Sequence, residues 1–97
     1  MTRLEAVERL RSRQSELRRA GVSHLYLFGS TARDEASAQS DVDLFFDYDR
    51  SDFGLFALMD VKEMAADILA HPTDIMSRDS LHPLLRRRIE ESAVQVF

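Results

Sequence analysis

Two β-rich runs, residues 22–28 and 41–46, are separated by only twelve residues, and that spacing constrains the fold more than anything else in the chain. The intervening segment opens on Gly29-Ser30 and is polar to Ser40, too short for a long excursion, so the chain must turn and come straight back. The second strand therefore starts beside the end of the first. Its alternation puts Asp41, Asp43 and Phe45 on one face and Val42, Leu44 and Phe46 on the other, and the second face is the expected core.

The flanking elements follow from periodicity. Leu4, Val7, Leu10 and Leu17 recur at helical spacing, and Thr2 with Glu5 has the capping-box form, so one amphipathic helix is expected to run until Gly21 ends it. Leu55, Leu58, Met59, Met64, Ile68 and Leu69 form an apolar stripe on a second helix that must end near His71, because Pro72 disfavours helix in its predecessor. Residues 73–76 read as a short strand. A last helix is expected over 81–91, with Leu84, Leu85 and Ile89 inward, and residues 94–97 can add a terminal strand. The expected architecture is an α/β fold, a small mixed sheet flanked by helices in the order α-β-(short α)-β-α-β-α with a final β. At 97 residues it should form one domain spanning 1–97.

Two carboxylates at i and i+2 on a strand point the same way, their α-carbons roughly 6.5 to 7 Å apart. Both can reach one cluster of divalent ions, the clamp that stabilises attacking and leaving oxygens in phosphoryl displacement. Magnesium suits such a pair, since it takes hard oxygen ligands and a few carboxylates plus substrate phosphates. A lone Asp-x-Asp is more often a solvated strand edge than a metal site, and a lone Gly-Ser more often a plain turn. Here the strand ends meet, so Gly29, which lets backbone approach a ligand, and Ser30, which adds a hydroxyl donor, face the same site as Asp41 and Asp43. Asp74, between strand neighbours, is either a surface acid or a third ligand able to orient or deprotonate an incoming hydroxyl. No Walker-type phosphate loop is present, and the only lysine, Lys62, lies elsewhere.

Taken together, Gly29-Ser30-Thr31-Ala32-Arg33, Ser40-Asp41-Val42-Asp43-Leu44 and Asp74 resemble the signature of the minimal nucleotidyltransferase (MNT) group, within the DNA polymerase β-like nucleotidyltransferase superfamily. The resemblance covers nearly the whole chain, and Ser80-Leu81-His82-Pro83-Leu84 is similar to that family's start of the final helix. It implies that Gly29 and Ser30 bind the triphosphate of ATP, that Asp41 and Asp43 hold Mg2+, as two ions, and that Asp74 completes the triad. Arg33 falls in the motif, where it either meets phosphate or braces the loop. One departure is Asp34, where many relatives carry glycine; its charge either repels triphosphate or faces solvent. The resemblance further implies a type VII-like antitoxin that moves AMP from ATP to a tyrosine of a HEPN ribonuclease toxin, in a hetero-oligomer with it. Two other functions stay open: a small-molecule nucleotidyltransferase of the aminoglycoside kind, and a module that neutralises a toxin by contact alone.

The rest of the sequence narrows the setting. With no cysteine there is neither a disulfide framework nor a thiolate metal site, and a cytoplasmic location is expected. Thr2-Arg3-Leu4-Glu5 interleaves charges with no apolar stretch, so no leader segment is expected, and the run 53–59 is too short to span a bilayer. A net charge of −4 argues against a general duplex-binding surface, which needs clustered positive charge. Arg86-Arg87-Arg88 reads as a solvated helix face with cations near a C-terminus, His24 as a packed or edge residue, and His71 and His82 as helix-boundary residues. Phe53, Phe56 and Met59 are expected in the core, with some of that surface left for another subunit.

Overall fold

The computed structural model of the protein describes residues 1–49 and 51–97. Helix α1 (Arg3–Ser12) starts as expected, the Thr2 hydroxyl accepting the Glu5 amide and donating to the Glu5 carboxylate, both at 3.1 Å. The single long first helix is not formed. Arg13 leaves the helical region at φ −120°, ψ 27°, and its guanidinium holds Glu16 at 2.7 Å, so a separate α2 (Gln14–Arg19) follows. The inward face of α1 is Ala6, Val7 and Leu10, while Leu4, expected in the stripe, is exposed. Gly21 ends α2 at φ +116°, a left-handed value that only glycine adopts freely.

Strand β1 (Val22–Phe28) leads into a single helical turn, α3 (Gly29–Ala32), and the chain returns as β2 (Val42–Tyr48). The two pair antiparallel, with Phe28 opposite Asp43, Tyr26 opposite Phe45 and Leu27 opposite Leu44. β2 starts one residue later than the alternation implied, which leaves Asp41 just outside it. Helix α4 (Leu55–Leu69) then carries the chain across to β3 (Thr73–Ser77), parallel to β2. A 3-10 turn (Arg78–Ser80) and helix α5 (Arg86–Ser92) lead to β4 (Val94–Gln95), antiparallel to β1. The sheet order β3-β2-β1-β4 is the mixed sheet expected.

One face of the sheet makes the core. Val22, Leu25, Leu27, Val42, Leu44, Phe46, Ile75 and Val96 bury there against Leu10, Leu17, Val61, Ala65 and Leu69. A register shift between Val22 and His24 brings Val22 onto this face and leaves His24 exposed. Within α4 the buried positions Val61, Ala65, Ile68 and Leu69 follow i, i+4, i+7, i+8. At about 100° per residue Leu55, Phe56 and Met59 fall on the flank and opposite side of that stripe, so they are exposed, Phe56 at 81%. Only Phe53 of that group packs inward, stacked on Tyr48 at 4.7 Å and edge-on to Phe46 at 5.6 Å.

The last helix also departs from expectation. Pro83 lies in a turn, with the amides of Leu85 and Arg86 both donating to the His82 carbonyl, and α5 starts only at Arg86. Leu81 is the residue that buries, whereas Leu84 is 87% exposed. Arg86, Arg87 and Arg88 consequently occupy the first turn of α5 rather than its end, and Arg86 and Arg87 offset the unfavourable dipole by pairing with Glu90 and Glu91. No helix among the described residues is long and apolar enough to cross a membrane.

Candidate active site

The opposite face of the sheet collects the polar chemistry. Its positions on β1 are Phe28 and Tyr26, on β2 Asp43, Phe45 and Asp47, and on β3 Asp74 and Met76, with Asp43 in register with Asp74. Phe45 was expected to share a solvated face, yet it is fully buried. What covers it is Tyr26, stacked at 4.7 Å, and the Arg78 guanidinium, 5.0 Å from the Phe45 ring and 4.9 Å from Tyr26. Arg78 grips Asp47 with two bonds of 2.7 and 3.0 Å and also pairs with Glu90 of α5. Those partners hold Arg78 firmly charged and tie α5 to this face.

At the other end of the same face lie the acids. Burial first, then the negative charges of Asp74 and Asp41, push the Asp43 carboxyl above the usual aspartate range, while Arg33 opposes them. Asp74 is the stronger of the two neighbours, so the closest electrostatic partnership runs across the parallel ladder and not along the Asp41-Val42-Asp43 tripeptide. Asp41 and Asp74 are exposed and Asp43 half-buried. Among the described residues, no three acidic or imidazole side chains converge into a metal-holding group. Like charges spread apart without a cation between them, and magnesium keeps several water and phosphate ligands, so it needs only one or two carboxylates from the protein. A half-buried acid destabilised by two others, with one arginine in opposition, is a donor set of the right chemistry for a hard cation.

Gly29 sits against this cluster. Its φ is +75°, and a Cβ there would lie inside van der Waals distance of Asp43 Oδ2 and 3.2 Å from Asp43 Cγ. The backbone comes this close to the carboxylate only because residue 29 has no side chain. Among the described residues no side chain caps α3, which leaves its leading amides free for an anion, and the Ser30 hydroxyl has no partner. Thr31, next in the turn, is 1% exposed, and its Oγ1 has no partner among the described residues. Arg33 holds Glu35 at 3.0 Å, an exposed pair, while its charge still reaches Asp43.

Asp34 turns away. It takes a left-handed φ of +57°, and its carboxylate accepts the Arg3 amide at 2.8 Å, bracing α3 against the start of α1. The positive φ is the physical reason glycine serves well at this position. Two residues not assigned to the site from the sequence also belong to the neighbourhood: His71, read there as a helix-boundary residue, and Arg78. His71 Nε2 lies 2.7 Å from the carbonyl oxygen of Ser40, next to Asp41, and Arg78 anchors the aromatic half of the face. Both follow from the parallel register: His71 faces Ser40, Asp74 faces Asp43 and Arg78 faces Asp47 at a constant offset of 31.

Comparisons with known proteins agree with this geometry. The family model of the nucleotidyltransferase domain matches residues 5–96. A protein of Methanocaldococcus jannaschii, provisionally named a protein adenylyltransferase, is 31% identical over 94 residues, covering 95% of each chain. A solved structure described provisionally as a minimal nucleotidyltransferase superposes with a TM-score of 0.75 at 30% identity, over 97% of this chain and 95% of the other. The fold is shared as well, at TM-score 0.65 and 17% identity, with a chain from the complex of tri-AMPylated Shewanella oneidensis HEPN toxin with MNT antitoxin, over 94% of this chain and 71% of that one. With its carboxylates, its uncapped glycine-led turn and this match along almost its whole length, the chain belongs to the nucleotidyltransferase domain family.

Proposed function

We propose that residues 1–97 act as one minimal nucleotidyltransferase domain that transfers AMP from magnesium-bound ATP to a tyrosine hydroxyl of a HEPN ribonuclease toxin, silencing it in the cytoplasm as a type VII-like antitoxin. The observation that carries this reading is Asp43 facing Asp74 across the ladder with the bare backbone of Gly29 packed against its carboxylate. The provisional name of the archaeal relative and the AMPylated toxin in the Shewanella complex support the choice of nucleotide and acceptor.

In this mechanism the free amides of α3 and the Ser30 hydroxyl hold the triphosphate, and Arg33 exchanges Glu35 for phosphate. Asp41, Asp43 and Asp74 would hold magnesium, which neutralises phosphate charge when bound. Asp74, at the exposed edge, orients the acceptor hydroxyl and takes its proton. The hydroxyl oxygen bonds the α-phosphorus as the bond to pyrophosphate breaks, and pyrophosphate leaves. Catalysis is then mostly positioning and charge neutralisation.

The test uses purified protein, magnesium, α-labelled ATP and a co-expressed partner. Label should transfer to the partner, mass spectrometry should find AMP on a tyrosine, and Asp41→Asn with Asp43→Asn should abolish both. Full neutralisation of the partner in cells by that double variant would overturn catalysis as the means of silencing.

A further inference from the structure

Asp41 is the least anchored of the three acids. It lies one residue before β2, is exposed, and follows a run from residue 33 to 40 that has no helix or strand. An acid just outside the end of a strand is useful only if its backbone is fixed, because a ligand displaced by about half an ångström no longer meets its ion. The anchoring comes from one short segment. On one side of Asp41, His71 Nε2 bonds the Ser40 carbonyl at 2.7 Å; on the other, the Val42 amide donates to the Pro72 carbonyl at 3.0 Å. A carbonyl oxygen only accepts, so Nε2 carries the proton. The backbone that carries the ring is itself held: Ala70 takes a left-handed φ of +49° that ends α4, and the Thr73 hydroxyl donates to the His71 carbonyl at 2.8 Å.

We infer that His71 is a positioning residue of the nucleotidyl-transfer site: its Nε2–H fixes the Ser40 carbonyl and so aims the Asp41 carboxylate toward the cation shared with Asp43. This rests on the proposed metal-holding role of the aspartates. The ring acts through the backbone of residue 40. Outer partners of metal ligands are worth about 10- to 100-fold in metal affinity, which sets the expected size of the effect.

The experiment is a titration of the full chain with Mn2+ alone, followed by electron paramagnetic resonance, for the parent, His71→Phe, His71→Gln and Asp43→Asn, with circular dichroism and melting curves on each. Should His71→Phe fail to fold, His71→Leu supplies the donor-free variant. The expected result is Mn2+ binding weakened about 10- to 100-fold in His71→Phe and restored to within about 3-fold of the parent in His71→Gln, whose amide keeps a donor, at comparable melting temperatures. Unchanged affinity in His71→Phe, or equal weakening in both variants, overturns the positioning role. A parent that does not bind Mn2+, or Asp43→Asn binding as the parent does, overturns the metal-site reading itself and the role of His71 with it. Parent binding lost in Asp43→Asn but kept in His71→Phe overturns the His71 role alone.

Discussion

Replacing Gly29 with alanine tests the close approach on which the site is built. Two costs add. Holding an L-residue at φ +75° costs about 1–2 kcal/mol. The new Cβ would also collide with Asp43 Oδ2 and stand 3.2 Å from Cγ, so the half-buried carboxylate must rotate, at about 0.5–1.5 kcal/mol for an off-rotamer side chain. The sum, about 2–3 kcal/mol, corresponds to a drop in Tm of roughly 10–20 °C for a domain of this size. In an Asp43→Ala background the collision vanishes, because Asp43 Cβ would lie at 3.4 Å, an ordinary contact, and only the backbone cost remains. Urea denaturation of the parent, both single variants and the double variant, at one pH with chelator present, gives the coupling as a double-mutant cycle. We expect a coupling of about 1 kcal/mol, with the double variant more stable than the sum of the singles. Additivity within about 0.3 kcal/mol would refute the contact between residue 29 and the carboxylate as the reason for glycine.

Four further expectations concern the acids, the arginine network and the α3 turn. Without divalent cations, Asp43→Asn should raise Tm: the folded state lifts the Asp43 pKa, so its proton is held below that range and stability is lost as pH rises through it, and melting from pH 4 to 7 should show the variant's advantage growing with pH. Arg78→Leu should cost about 2 kcal/mol in urea denaturation, because it takes both bonds from Asp47, leaves Glu90 with Arg86 alone and uncovers Phe45; a loss under 0.5 kcal/mol would contradict the network. Asp34→Ala should destabilise more than Asp34→Gly, since both lose the Arg3 contact but only alanine keeps the strain of φ +57°; equal Tm values would refute this. Thr31→Val should raise stability by about 1 kcal/mol, measured by melting, as it removes a buried hydroxyl with no partner among the described residues.

Much of this architecture is written locally. The turn at Gly29, the return of the chain into β2 and the stop at Ala70 before Pro72 follow from side chains acting on their own backbone, so they can be read without tertiary knowledge. The break at Arg13 is different: nothing in residues 3–19 forbids a continuous helix, and the kink comes with an arginine gripping a glutamate three residues on. Phe45 alternates like a solvated residue and is nevertheless buried, because its cover, Arg78, comes from another strand's end. Within the site, Asp41, Asp43 and Asp74 stood out by type, whereas the closest pairing, Asp43 with Asp74, depends on the register between parallel strands. No local signal sets that register; once one pair is known, the constant offset yields His71 and Arg78 as well.

The pairing of β4 with β1 shapes how the sheet is assembled in time. β1 and β2 are neighbours in sequence and can zip together as soon as both have left the ribosome, but Val94 finds Leu27 only after the intervening chain has been made. Until then one border of β1 stands open, with its amides and carbonyls unsatisfied and its apolar face only partly covered, the kind of nascent edge that attracts other chains. Synthesis paused within α4 should therefore yield an aggregation-prone intermediate whose acidic cluster is already half assembled, Asp43 in place on its hairpin and Asp74 still to come.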